Sequence, residues 1–130
     1  MISPKIQVVV LGIIATVAIA GLTGAHEWMA PQKAGKIENP VPYGNESVNR
    51  GKELYLDNCA ACHGENATGQ KAKEIALSKD APDLRKRLAT HSGGDFFWKI
   101  QEGRGEMPSF KDDLEPTEVW DIINFLKTKN

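Results

Sequence analysis

Cys59-Ala60-Ala61-Cys62-His63 decides how the rest of this 130-residue chain is read. Two cysteines three apart, with a histidine directly after the second, form the attachment pattern of a c-type haem. The spacing has a chemical reason. Two thiols on one helical turn can each add to a vinyl group of the porphyrin, and the next residue then turns an imidazole toward the iron. Three other readings of the cysteines are open to test. A Cys59–Cys62 disulfide is one, and a thioredoxin-like redox pair, which wants a βαβ context not found here, is another. A zinc site would want a second pair of ligands at metal spacing, and the chain has no third cysteine.

Charge is close to balanced, with 16 basic and 17 acidic residues, which argues against a nucleic-acid partner. Locally it is not balanced. Lys71, Lys73, Lys79, Arg85, Lys86 and Arg87 face only Glu74, Asp80 and Asp83, and from Asp95 to Asp121 acidic residues dominate. The plain reading is two solvated faces; the sharper one is a charge dipole that orients docking to redox partners.

Residues 6–25 are free of charge and mostly apolar. As a helix they would cover about 30 Å, enough to cross a bilayer. Residues 1–25 therefore read as a membrane anchor, with Trp28 at the outer interface, or as a signal peptide cleaved after Ala18-Ile19-Ala20. Either way the remainder is exported. The expected location is the cytoplasmic membrane, single-pass, with the functional domain on the periplasmic side; the alternative is a soluble periplasmic form. Residues 26–44 hold Pro31, Pro40, Pro42, Gly35 and Gly44 without helical periodicity, and read as an extended linker. His26 and Met29 in it read as surface residues rather than ligands.

Residues 45–130 form the expected domain. Asn45 opens a helix that runs into Cys59. Gly51 inside that helix costs about 1 kcal/mol against alanine, which points to close approach of another helix, with Tyr55 one turn on. A glycine-rich loop follows His63, then a short surface helix in 71–79, a turn at Pro82, a polar helix over 85–90, and an apolar helix capped by Asp95 that ends near Gly103. The last helix is capped by Thr117, and places Ile122 and Phe125 on one side for Gly51 and Tyr55. Between the last two helices, Met107 sits in a loop between glycines and Pro108. A thioether is a good axial ligand for low-spin haem iron, so Met107 reads as the distal ligand opposite His63. The alternatives are a gap-filling methionine, and His91 as a rival ligand. Asn45-Glu46-Ser47 and Asn66-Ala67-Thr68 fit the glycosylation sequon and are taken as chance matches.

The pattern resembles class I, monohaem, c-type cytochromes of the membrane-tethered bacterial type. The residues that carry the resemblance are Gly51-Lys52-Glu53-Leu54-Tyr55, Cys59 to His63, Gly64, Pro82-Asp83-Leu84, Met107-Pro108 and the Ile122 to Leu126 end. It implies an all-α cytochrome c fold wrapped around one covalently bound haem, preceded by an apolar helix, with first and last helices crossing at a glycine–aromatic contact. It also implies that the Pro82 carbonyl holds the proximal imidazole. The stretch between His63 and Pro82 is longer than in short members of the family. A domain of about 85 residues buries little surface; haem adds an apolar body, and Phe96, Phe97, Trp98, Phe110 and Trp120 are the aromatic stock for its pocket. The expected function is one-electron transfer to redox proteins, free or within a respiratory or photosynthetic complex, with no catalytic residues. The alternatives are a haem enzyme or gas sensor with an open distal site, and a structural subunit of a membrane complex.

Overall fold

The computed structural model describes residues 28–129. The apolar run 6–25 and its anchor or signal role lie outside the described residues, as does His26. Among the described residues no helix is long and apolar enough to cross a membrane. The fold is helical: α1 (Gln32–Gly35), α2 (Asn45–Asn58), α3 (Ala60–His63), a 3-10 turn (Ala72–Glu74), α4 (Leu84–Leu88), α5 (Gly93–Glu102) and α6 (Pro116–Lys127). Two isolated antiparallel bridges, Gln70 with Ala81 and Arg104 with Met107, pin loops rather than build a sheet.

α6 is the centre. Val119 to Leu126 are all buried, and a helix enclosed all round belongs to a core rather than a surface. α2 crosses it at Gly51. A Cβ there would stand 1.9 Å from the Asp121 carbonyl oxygen, so only glycine lets the backbones touch. One turn on, Tyr55 and Phe125 pack at a ring separation of 5.3 Å, and Phe97 of α5 stacks on Trp120 at 4.6 Å. A polar cluster completes the α2–α6 seam. The Asp121 carboxylate accepts from the Ser47 hydroxyl and from Arg50 Nε at 2.8 Å, and Asn124 Nδ2 donates to Ser47 Oγ at 2.9 Å.

The helix starts differ from expectation by one to three residues. Gly44, not Asn45, precedes α2. Ser92 caps α5, with its Oγ accepting from the Asp95 amide at 3.1 Å. α6 starts at Pro116 behind Glu115, whose amide donates to the Glu118 carboxylate at 2.8 Å, so Thr117 is not the cap. The helix expected in 71–79 is reduced to the 3-10 turn, and that expected over 85–90 is α4, capped by Asp83.

Residues 28–44 are not an extended linker. They carry α1 and lie on the domain as a strap. Ala34 is buried, and a Cβ on Gly94 would meet the Ala34 and Ile37 carbonyl oxygens at 2.4 and 2.7 Å. The Ala30 amide donates to Asp95 Oδ2 at 2.7 Å, the Ser92 hydroxyl to the Gly35 carbonyl, and Asn39 Nδ2 to Asn124 Oδ1 at 2.9 Å. Trp28, expected at a membrane interface, packs edge-on against Trp98 at 6.2 Å. One helical turn has no periodicity to detect, and the strap is held by polar bonds to residues far along the chain, which leave no local sequence pattern.

Candidate haem site

α2 hands its last hydrogen bond to the motif, the Cys59 amide donating to the Tyr55 carbonyl at 2.8 Å. The chain then makes one further helical turn: the His63 amide donates to the Cys59 carbonyl at 2.9 Å and the Gly64 amide to the Ala60 carbonyl at 2.8 Å. That turn places both cysteines beside the histidine, half-buried and unlinked to one another. Burial, with a smaller effect from the neighbouring Cys62, pushes the Cys59 thiol up to about 12. A reactive redox pair needs the opposite, a thiol lowered toward neutrality. Among the described residues no group of three or more His, Cys, Asp or Glu side chains could hold a bare metal ion, so the zinc reading finds no ligand set.

His63 is half-buried, and burial lowers its pKa against the opposing pull of a bond to a backbone carbonyl. That carbonyl is Pro82, 3.3 Å from Nδ1. In the tautomer this bond requires, Nδ1–H donates and the Nε2 lone pair stays free for a metal. The turn after the motif brings Pro82 within reach. The Gly69 amide donates to the His63 carbonyl at 2.8 Å, residues 70 and 81 bridge, and the Leu84 amide donates to the Ala67 carbonyl at 2.9 Å.

Two supports escaped the sequence reading. Gln70 Nε2 donates to the Ala61 carbonyl at 2.8 Å, and the Tyr55 hydroxyl donates to the Gly64 carbonyl at 2.7 Å. Burial raises the Tyr55 pKa, which keeps it a donor. From sequence alone Tyr55 shows only a packing role. A glutamine seven residues after a histidine carries no local signal.

Met107 closes a tight turn. The Arg104 amide donates to its carbonyl at 2.9 Å, and its amide returns a bond to the Arg104 carbonyl at 3.1 Å. α5 ends just before, on Gly103. The Met107 side chain is half-buried and packs, like Cys59, Leu84, Leu88, Phe97 and Phe110, against the core built by α2, α5 and α6. Cys59 and Met107 thus pack against the same core. Met29 is 53% exposed and outside that core. His91 Nδ1 lies 3.1 Å from the Arg87 carbonyl and 2.8 Å from Thr90 Oγ1, while its Nε2 is buried with no hydrogen-bond partner among the described residues.

The donor set fits haem c: two adjacent unlinked thiols, an imidazole with one nitrogen already anchored, and a thioether on the same core. Residues 46–126 match the family model described as cytochrome c oxidase, cbb3-type, subunit III. Among curated proteins, cytochrome c6 of Petalonia fascia is 30% identical over 61% of this chain and 88% of its own length. Cytochrome c550 of Pseudomonas aeruginosa is 29% identical over 89% of each chain. The cbb3-type oxidase subunit CcoP of Azospirillum brasilense is 36% identical over 56% of this chain but only 25% of its own length. With the helical fold and the Cys59–Cys62 pair, these likenesses place the chain in that family, among the class I c-type cytochromes, electron carriers with a covalently bound haem c.

Proposed function

We propose that Cys59 and Cys62 form the two thioether bonds, that His63 Nε2 and the Met107 sulfur are the axial ligands, and that the chain shuttles single electrons without catalysing a reaction of its own. The observation that carries this is the His63–Pro82 contact. A histidine whose Nδ1 is spent on a carbonyl has its ring plane fixed and a single donor to offer, the usual arrangement of a metal-bound imidazole. Haem c supplies exchange of one electron between Fe(III) and Fe(II). The protein's part is to hold and to tune. Pro82 orients His63 and would make it a better donor, and the Met107 thioether would favour the reduced iron and raise the potential.

The partners on this reading are redox proteins or a membrane electron-transfer complex; a likeness to an oxidase subunit supports the second. The location is the outer face of the cytoplasmic membrane, tethered through residues 6–25, or the periplasm if those residues are removed. The strap over 28–44 and the haem domain over 45–130 act as one unit, because the strap is docked. Within the basic stretch Lys71 pairs with Asp80 at 2.9 Å and Arg85 with Asp83 at 2.8 Å, which leaves its basic excess unchanged.

The orphaned Nε2 of His91 favours one second reading, His91 as distal ligand. The test compares Met107→Ala with His91→Ala in haem-loaded protein. The Met107 reading expects the weak long-wavelength band of an oxidised methionine-ligated haem to vanish, and the potential to fall, only in Met107→Ala. Loss of low-spin character in His91→Ala, with Met107→Ala unchanged, overturns it. Cyanide binding by the unmodified oxidised protein as fast as by Met107→Ala would instead support the enzyme or gas-sensor alternative.

A further inference from the structure

The strap ends on the turn that carries Met107. The Trp28 ring lies edge-on to Trp98 at 6.2 Å, with Arg104 Cζ 5.8 Å and Lys99 Nζ 5.7 Å from its centroid. Arg104 is the residue whose amide and carbonyl both bond Met107. Lys99 in turn is ion-paired with Asp95, whose other oxygen holds the Ala30 amide. The contacts are concentrated. Trp28 grips the outside of the turn through a cation–π contact, Ala30 two residues on is tied to Asp95 in the first turn of α5, and Gly94 in that turn lets the strap backbone at Ala34 and Ile37 sit close.

We propose that Trp28 is a positioning residue for Met107: by clamping Arg104 it holds the Met107 turn closed, and so couples the chain entering the domain to the stability of the sulfur–iron bond. The proposal rests on Met107 being the distal ligand. Without the indole, Arg104 loses a flat apolar face and the two-bond turn loses its outer wall. The sulfur would then leave the iron more often, and an added ligand would capture the vacated position more readily.

The experiment uses full-chain, haem-loaded protein and imidazole as the competing ligand, followed by absorbance of the oxidised form. Trp28→Ala should tighten imidazole binding about five- to tenfold, the low end of what loss of one cation–π contact and one aromatic pair would give. Trp28→Phe should recover most of that factor. Asn39→Ala loosens the strap at its far end, on Asn124, without touching Arg104; it should lower the denaturation midpoint and leave imidazole affinity within about twofold. Equal imidazole affinity in Trp28→Ala and unmodified protein overturns the proposal. So does an Asn39→Ala effect as large as that of Trp28→Ala, which would mean general loosening. If the unmodified oxidised protein lacks the methionine–iron band, the ligand assignment fails and this proposal fails with it; a band that is present, with no effect of Trp28→Ala, overturns this proposal alone.

Discussion

Gly51→Ala should be among the most damaging single-methyl changes in this protein. The added Cβ would lie 1.9 Å from the Asp121 oxygen, 2.3 Å from its carbonyl carbon and 2.9 Å from the Ile122 nitrogen. Atoms of these kinds rest at about 3.5 Å, so α2 and α6 must part by roughly 1.5 Å. The obstacle is backbone inside a fully enclosed helix, and it cannot rotate away. Overpacking alone costs about 1–3 kcal/mol. Parting the helices also stretches the Ser47–Asp121 and Asn124–Ser47 bonds, at about 1 kcal/mol each. Alanine returns about 1 kcal/mol in helix propensity. The net loss is about 3 kcal/mol, a large share of the 5–15 kcal/mol typical of a domain. For a domain of this size that is a fall in Tm of roughly 12–24 °C. Thermal unfolding of the haem-loaded protein, followed by far-ultraviolet circular dichroism, reads it directly. A Tm within about 3 °C of the unmodified protein refutes the reasoning, because it would mean that the crossing can open at no cost.

Asp121→Ala removes the shared acceptor of Ser47 and Arg50 from the same seam; since Arg50 is half exposed and can turn to water, the loss should be about 2 kcal/mol, read as a lower urea midpoint at unchanged slope. Acid should weaken the α4 cap. Arg85 holds the Asp83 carboxyl at about 2, below the unfolded value of about 3.9, so its contribution is complete above about pH 4 and is lost as pH falls from there through about 2. Guanidinium midpoints taken between pH 5 and pH 2 should therefore decline less steeply in Asp83→Asn than in the unmodified protein. A chain stripped of haem should be largely unfolded; a circular dichroism spectrum of the apoprotein with native helix content would contradict this.

What could be read from the sequence was local or strictly spaced. The Cys59 to His63 pentapeptide is a fixed pattern whose geometry follows from one helical turn. Gly51 and Tyr55 were legible because a costly glycine on an apolar stripe has few uses other than a helix contact, and Ile122 and Phe125 show the matching stripe. The caps were less legible because good capping residues cluster: Ser92 and Asp95 lie in one short run, as do Glu115 and Thr117, and only the backbone decides which one sits at the end. Hidden from sequence altogether were the contacts between a side chain and a distant backbone. Gln70 on Ala61, Asn39 on Asn124 and Ala30 on Asp95 join unremarkable polar residues, and nothing periodic marks them.

The long stretch between His63 and Pro82 shows how such contacts shape the site. Its base is closed by the bridge of Gln70 with Ala81 and by Asp80, which accepts from the Ala72 amide at 2.9 Å and pairs with Lys71. Closed in this way, the insertion returns the chain to His63 whatever its length, which is why Pro82 still reaches the imidazole. Its outer limb has a second attachment. The Ser78 amide and hydroxyl donate to the Glu106 carboxylate at 2.9 and 2.6 Å, and these bonds hold the Glu106 pKa below its usual range. Glu106 precedes Met107. The turn that presents the thioether is therefore held by the insertion on one side, by the strap through Trp28 and Arg104 on another, and by α5, where the Phe110 amide donates to the Ile100 carbonyl at 3.1 Å. A methionine on a free loop would exchange readily with water. In the folded protein a turn tied to three separate segments has little freedom to move, and on the proposed ligation that restraint would favour a carrier whose ligands stay in place as the charge on iron changes.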